Sequence, residues 1–126
     1  MPYDENLVRY GTFGPDEAGP LVDELLAQTP PDAFFTASDR LALGCLAALR
    51  QRHRRIPEDV ALVGFTNTHS AELLAPALST VVQPAQEIGA TAAERLIELI
   101  ERKHRAAPPS VTKLPTTLIV RASSAG

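Results

Sequence analysis

Six side chains in this sequence stand where binding chemistry could be done, and each follows a short run of β-leaning residues. Phe13 comes after Leu7 to Thr12, Ser38 and Asp39 after Ala33 to Thr36, Thr66 and Asn67 after Val60 to Phe65, and Gln83 after Thr80 to Val82. An aromatic ring offers an apolar face for stacking, and hydroxyl, amide and carboxylate groups offer directed hydrogen bonds. Open α/β sheets place their ligands just outside the carboxyl ends of the strands. A ring combined with short polar groups at such ends suits a sugar or a similar polyhydroxylated metabolite.

Three of these residues also have a plainer reading. An acid such as Asp39 in a first helical turn is a favourable partner of the helix dipole. Phe13 fits equally an ordinary loop aromatic folded onto the core. Gln83 either lines a cleft or satisfies backbone at a strand end.

Catalytic chemistry has little support. The sequence holds no G-x-S-x-G elbow, no G-x-x-x-x-G-K-[ST] loop, no G-x-G-x-x-G turn and no paired acids of a phospho-acceptor kind. The chain is therefore expected not to be an enzyme and to need no cofactor. Cys45 is the sole cysteine, which rules out an intrachain disulfide, and its place on an apolar helix side marks it as a core residue. His53, His69 and His104 lie far apart in sequence, without metal-ligand spacing.

A formal net charge of -3 argues against autonomous nucleic-acid binding, which relies on a basic surface. The basic run from Arg50 to Arg55 is explained by favourable positive charge at a helix C-terminus. No apolar stretch approaches the ~20 residues needed to span a bilayer, and residues 1–10 lack the pattern of a signal peptide. A cytoplasmic location is the expectation.

These residues need a scaffold to hold them, and the patterning supplies one. At 126 residues, with 44% hydrophobic and 21% charged residues, the chain suits one globular domain. Leu7 to Thr12 reads as a strand running into a loop at Gly11, Gly14 and Pro15. Leu21, Val22, Leu25 and Leu26 form an apolar helical stripe that Pro30 and Pro31 stop. Ala33 to Thr36 reads as a strand, and Ser38 caps a helix with core face Ala42, Cys45, Leu46 and Leu49. Val60 to Phe65 is an uninterrupted apolar run, the mark of a strand covered on both sides.

A short helix from Ser70 to Ala75, a strand at Thr80 to Val82 and a long helix from Gln86 to about Lys103 follow. That helix carries Ile88, Ala92, Leu96, Leu99 and Ile100 on one side. After a linker from Ala106 to Ser110 comes a last β-rich segment, Leu114 to Val120, and a polar tail from Arg121 to Gly126. The alternation predicts an α/β layered domain with a mainly parallel sheet and helices on both faces.

Three segments in order resemble the effector-binding core of the LacI/GalR family of transcription regulators. They are Pro31-Asp32-Ala33-Phe34-Phe35-Thr36-Ala37-Ser38-Asp39 with the later Ala42-Leu43-Gly44; Ile56-Pro57-Glu58-Asp59-Val60 through Gly64-Phe65; and Leu78-Ser79-Thr80-Val81-Val82-Gln83-Pro84 with the closing Leu114 to Arg121. Leu7 to Gly19, with Gly11-Thr12-Phe13, resembles the segment that precedes them. The resemblance spans nearly the whole chain.

This resemblance implies a lobe like that of the type I periplasmic binding proteins, with residues 1–126 as the C-terminal lobe of a two-lobed clamp. Residues 86–104 would be a helix that in relatives belongs to the N-terminal lobe, and here it is expected to pack on a second copy or to be poorly ordered. The implied function is that of a ligand-sensing fragment of a LacI-type regulator, binding a sugar or related metabolite. A transport-associated sugar-binding protein of the same fold is the alternative. A homodimer is expected, DNA would be reached only through a headpiece absent from this chain, and no membrane is involved.

By resemblance Phe13 covers the ligand's apolar face, while Ser38 and Thr66 bond its polar edge, near Asp39, Asn67 and Gln83. The sequence departs from relatives at two of these places, since they usually carry Asp where Thr66 stands and often Asn where Ser38 stands. A threonine hydroxyl lacks the paired acceptor oxygens of a carboxylate.

Overall fold

The structure is a computed structural model, and it describes residues 3–101 and 110–125. His104, the linker's Ala106 to Pro109 and the expected end of the long helix near Lys103 lie outside the described residues. The chain divides into two compact units, Met1–Val82 with Leu118–Gly126, and Gln83–Thr117.

The first unit is built on a sheet with strand order β1 (Ala33–Phe35), β2 (Ala61–Phe65), β3 (Ser79–Val82) and β4 (Thr117–Ile119). β1 and β2 are parallel, with Phe34 opposite Leu62, and β2 and β3 are parallel, with Phe65 opposite Val81. Strand pleat sends alternate residues to opposite faces. Leu62 and Gly64 are buried on one face, and Ala61, Val63 and Phe65 are half-buried on the other.

Helices α1 (Ala18–Gln28) and α2 (Asp39–Gln51) cover the first face. Val22 and Leu25 of α1 join Ala42, Cys45, Leu46 and Leu49 of α2 with Phe34, Leu62 and Leu78 in one apolar cluster. The expected helical core face is thus the buried one. Both helices of this unit lie on that face. The opposite face carries Phe35, with its ring edge-on to Phe65 at 6.4 Å between centroids. The third long helix belongs to the second unit.

Gly44 marks where α2 meets the chain before α1. A Cβ there would overlap the carbonyl oxygen of Pro15 and lie 2.7 Å from Cβ of Ala18. A side chain is therefore excluded by packing at the glycine of the Ala-Leu-Gly sequence.

The opening segment is a correction to the sequence reading. Glu5–Leu7 forms a 3-10 turn capped by Asp4, Val8 is extended, and residues 8–12 do not join the sheet. A β-leaning run becomes a strand only when another strand's edge pairs with it. Arg9 instead ties this segment to α1, by a 2.9 Å ion pair to Glu24 and a 2.7 Å bond to the Gln28 side chain.

Ser70 to Ala75 likewise forms successive turns, not a helix. The chain must bury Ala71 and return to β3 within a few residues, and the Leu78 amide donates to the Ala71 carbonyl at 2.8 Å. The polar tail is also more than a tail. Ser123 is fully buried, its hydroxyl donates to the Leu62 carbonyl at 2.6 Å, and it accepts from the Ser79 amide at 2.8 Å. A buried serine is stable there because the chain's own groups satisfy it.

In the second unit, α3 spans Ala85–Glu101 and buries none of its residues. Ile88, Leu96, Leu99 and Ile100 remain exposed along it, with Arg95 bonded to Ser110 at 2.8 Å. No described helix is long and apolar enough to cross a membrane.

Candidate functional site

Ser38 and Thr66 each stand three residues beyond a register pair, Phe35 and Val63, at the same end of neighbouring parallel strands. Ser38 has extended backbone, with φ of -158°, and its hydroxyl oxygen accepts from the Leu41 amide at 3.2 Å, capping α2. A capping hydroxyl used as acceptor still has its own proton to donate. Thr36 is held beneath it, with its amide donating to the Val63 carbonyl at 2.9 Å and its hydroxyl to the Ser38 carbonyl at 3.0 Å.

Thr66 and Asn67 both lie in the left-handed backbone region, with φ of 123° and 55°. Asparagine tolerates that region, whereas a β-branched threonine there is strained, at a cost on the order of 1–3 kcal/mol. Thr66 is exposed and its amide donates to the Val81 carbonyl at 2.8 Å. Asn67 is half-buried, donating its amide to the Thr80 hydroxyl at 3.2 Å and accepting from the Arg121 guanidinium at 3.0 Å.

Asp39 is 1% exposed. One carboxylate oxygen accepts from the Thr80 hydroxyl at 2.7 Å, and the other from the Thr68 amide at 2.7 Å and the Thr68 hydroxyl at 3.2 Å. Its charge therefore serves the turn behind the strand ends and is closed off from solvent. The helix N-terminus it occupies favours a negative group.

Phe13 is 62% exposed, in the loop before α1. The loop is fixed by Glu17, whose carboxylate accepts from the amide of Thr12 at 2.5 Å and from the Thr12 hydroxyl. Gln83 is half-buried and opens the second unit, where its carbonyl accepts from the Ala85 amide at 2.8 Å.

Sequence reading did not single out Thr68, Glu72 or Arg121. With Asn67 and His69 they line an open polar recess of about 150 Å³ beside the turn. Arg121 also donates to the Leu78 carbonyl at 2.7 Å. Only the sequential distance between residues 67 and 121 hid this grouping. The described residues hold no cluster of three or more His, Cys, Asp or Glu able to bind a metal. Cys45 is buried, and burial pushes its thiol up to about 11. Two members of the basic run are held in ion pairs: Arg52 pairs with Asp23, and Arg55 pairs with Asp59 at 2.6 Å.

With this geometry in view, the likeness to known proteins is extensive. The model of a periplasmic binding protein-like domain matches residues 4–124. The HTH-type transcriptional regulator CelR of Thermobifida fusca is 40% identical over 98% of this chain and 36% of its own length. DegA of Bacillus subtilis, also an HTH-type transcriptional regulator, is 38% identical over 98% of this chain and 36% of its own length. The chain thus spans about a third of the length of these relatives.

Among solved structures, a complex of the transcriptional regulator CelR with cellobiose superposes with a TM-score of 0.89, at 39% identity, covering 98% of this chain and 38% of that one. A LacI family transcriptional regulator from Enterococcus faecium with bound ribose gives 0.76 at 29% identity, covering 90% and 41%. The family model, relatives and fold agree that the chain belongs to the periplasmic binding protein-like domain family, and the relatives that it matches over nearly its whole length are transcriptional regulators.

Proposed function

We propose that this chain is the effector-sensing part of a transcriptional regulator and takes a small hydroxyl-rich metabolite at the carboxyl ends of β1 and β2. The observation that carries this reading is the common level of Ser38 and Thr66 at the ends of adjacent parallel strands. Phe13 supplies a ring for the ligand's apolar face, Ser38 a hydroxyl proton, and Thr66 and Asn67 a hydroxyl and an amide. Asp39 supports them from behind. No carboxylate grips the ligand at position 66, so neutral hydrogen bonds carry recognition there, and these are weaker than charge-assisted ones.

CelR and the Enterococcus faecium regulator carry cellobiose and ribose in their structures, which supports a sugar as the ligand class. The relatives are regulators and not transport proteins or enzymes, which sets the transport-associated alternative aside. In the full-length protein, a homodimer in the cytoplasm, ligand binding would bias two conformations unequally and so shift the affinity of a separate DNA-binding headpiece. The test is calorimetric titration of that protein with cellobiose and D-ribose. Phe13→Ala should weaken binding of the accepted sugar about tenfold, because an aromatic contact is worth ~1 kcal/mol or more. Unchanged affinity in Phe13→Ala removes the ring from the site.

A further inference from the structure

We infer that Asp39 is the positioning residue of the strand-end turn, clamping the Thr68 amide directly and the Asn67 amide through the Thr80 hydroxyl, and so holding Thr66 and Asn67 in their left-handed conformation. The hydrogen bonds to this carboxylate come from two places. Thr68 in the turn donates twice, and Thr80 of β3 donates once while accepting from the Asn67 amide. One buried acceptor therefore joins the start of α2, the turn after β2 and the strand β3.

Two successive non-glycine residues at φ of 123° and 55° persist only where their surroundings over-determine them. Bonds to an ionised acceptor are about twice as strong as neutral ones, and burial strengthens them further. Gly64 belongs to the same device. A Cβ there would overlap a carboxylate oxygen of Asp39, so the bare backbone of β2 is what lets the clamp reach across to β3.

An Asp39 that served only general stability would not discriminate between neighbouring amides, and this clamp does. Thr80→Val removes one arm and keeps the side chain's shape. Asp39→Asn keeps shape and removes the charge that both arms use.

Amide hydrogen exchange of the intact protein, read residue by residue by NMR, tests the clamp without any ligand. In Asp39→Asn, exchange at both Asn67 and Thr68 should rise about tenfold or more, while the Leu62 amide in β2 keeps its rate. In Thr80→Val the rise should appear at Asn67 and be absent at Thr68. Equal acceleration of Asn67, Thr68 and Leu62 in either variant overturns the clamp, as does an unchanged Asn67 rate. If Asp39→Asn does not fold, the Thr80→Val pattern decides alone.

The consequence for binding rests on the sensing role proposed above. Calorimetry with cellobiose and D-ribose should then show about tenfold weaker binding in Asp39→Asn. Should neither sugar bind the unaltered protein, the sugar reading fails, and the exchange pattern still judges the clamp.

Discussion

The side chain of Asp39 fills the space that a Cβ on Gly64 would need, so the first residue of α2 fits against the penultimate residue of β2 only because that residue is glycine. A Cβ at residue 64 would also stand 3.0 Å from Cδ2 of Leu78. Gly64→Ala should accordingly lower stability by about 1–3 kcal/mol, the range for overpacking a closed site. Urea unfolding measures it, and a loss under 0.5 kcal/mol would mean that Asp39 moves aside freely.

Gly44 and Gly19 make a matched pair of opposite outcome. Gly44→Ala must push α2 from the chain before α1 and should cost about 1–3 kcal/mol. Nothing lies within 4 Å of a Cβ built on Gly19, in the first turns of α1, so Gly19→Ala should leave stability unchanged or raise it by up to about 1 kcal/mol. Thermal melts of the two variants side by side check this contrast.

Much of the scaffold was legible in the sequence. Ala33 to Thr36, Val60 to Phe65 and Thr80 to Val82 fall on β1, β2 and β3, and the Ser38 cap starts α2 where its hydroxyl meets the Leu41 amide. These are local signals, a capping side chain and runs of apolar residues, and both sides of each signal sit within a few positions. Residues 7–12 misled because their strand character depends on a partner elsewhere. Ser123 was hidden for the converse reason, since a serine in a polar tail gives no sign that Leu62 and Ser79 lie 61 and 44 positions away to receive it. The site residues were legible as strand-end polar groups. Whether each faces outward was not: Asp39 and Ser38 are adjacent, yet Asp39 is buried by its bonds to Thr68 and Thr80.

Cys45 should be a slow thiol. Burial raises it from 9.0 to about 11, which leaves roughly a hundredth of the thiolate at neutral pH, and the thiolate is the reacting form. A disulfide reagent at pH 8 should therefore modify the folded protein at least about a hundredfold more slowly than the protein in urea. Comparable rates would show that the core under α2 opens readily.

The ion pair of Arg55 and Asp59 gives a pH dependence of definite sign. The hydrogen bond from the Arg55 side chain, then that from its amide, lowers the Asp59 carboxyl from 3.8 to about 2. A carboxyl depressed in the folded state adds stability above its unfolded value and loses it as pH falls through the folded one. The small advantage of the parent protein over Asp59→Asn should be constant above about pH 5 and vanish toward pH 2. NMR titration of the Asp59 carboxyl checks the underlying value, and a midpoint near 3.8 would remove the effect.

The most direct measurement is an NMR titration of the intact protein with cellobiose and D-ribose, following every backbone amide. If the strand ends hold the ligand, the largest shift changes fall at Phe13, Ser38, Thr66 and Asn67, with little change at Ala33 and Ala61 at the opposite ends of β1 and β2. Shifts concentrated at Ala33 and Ala61, or spread without regard to the strand ends, would contradict it.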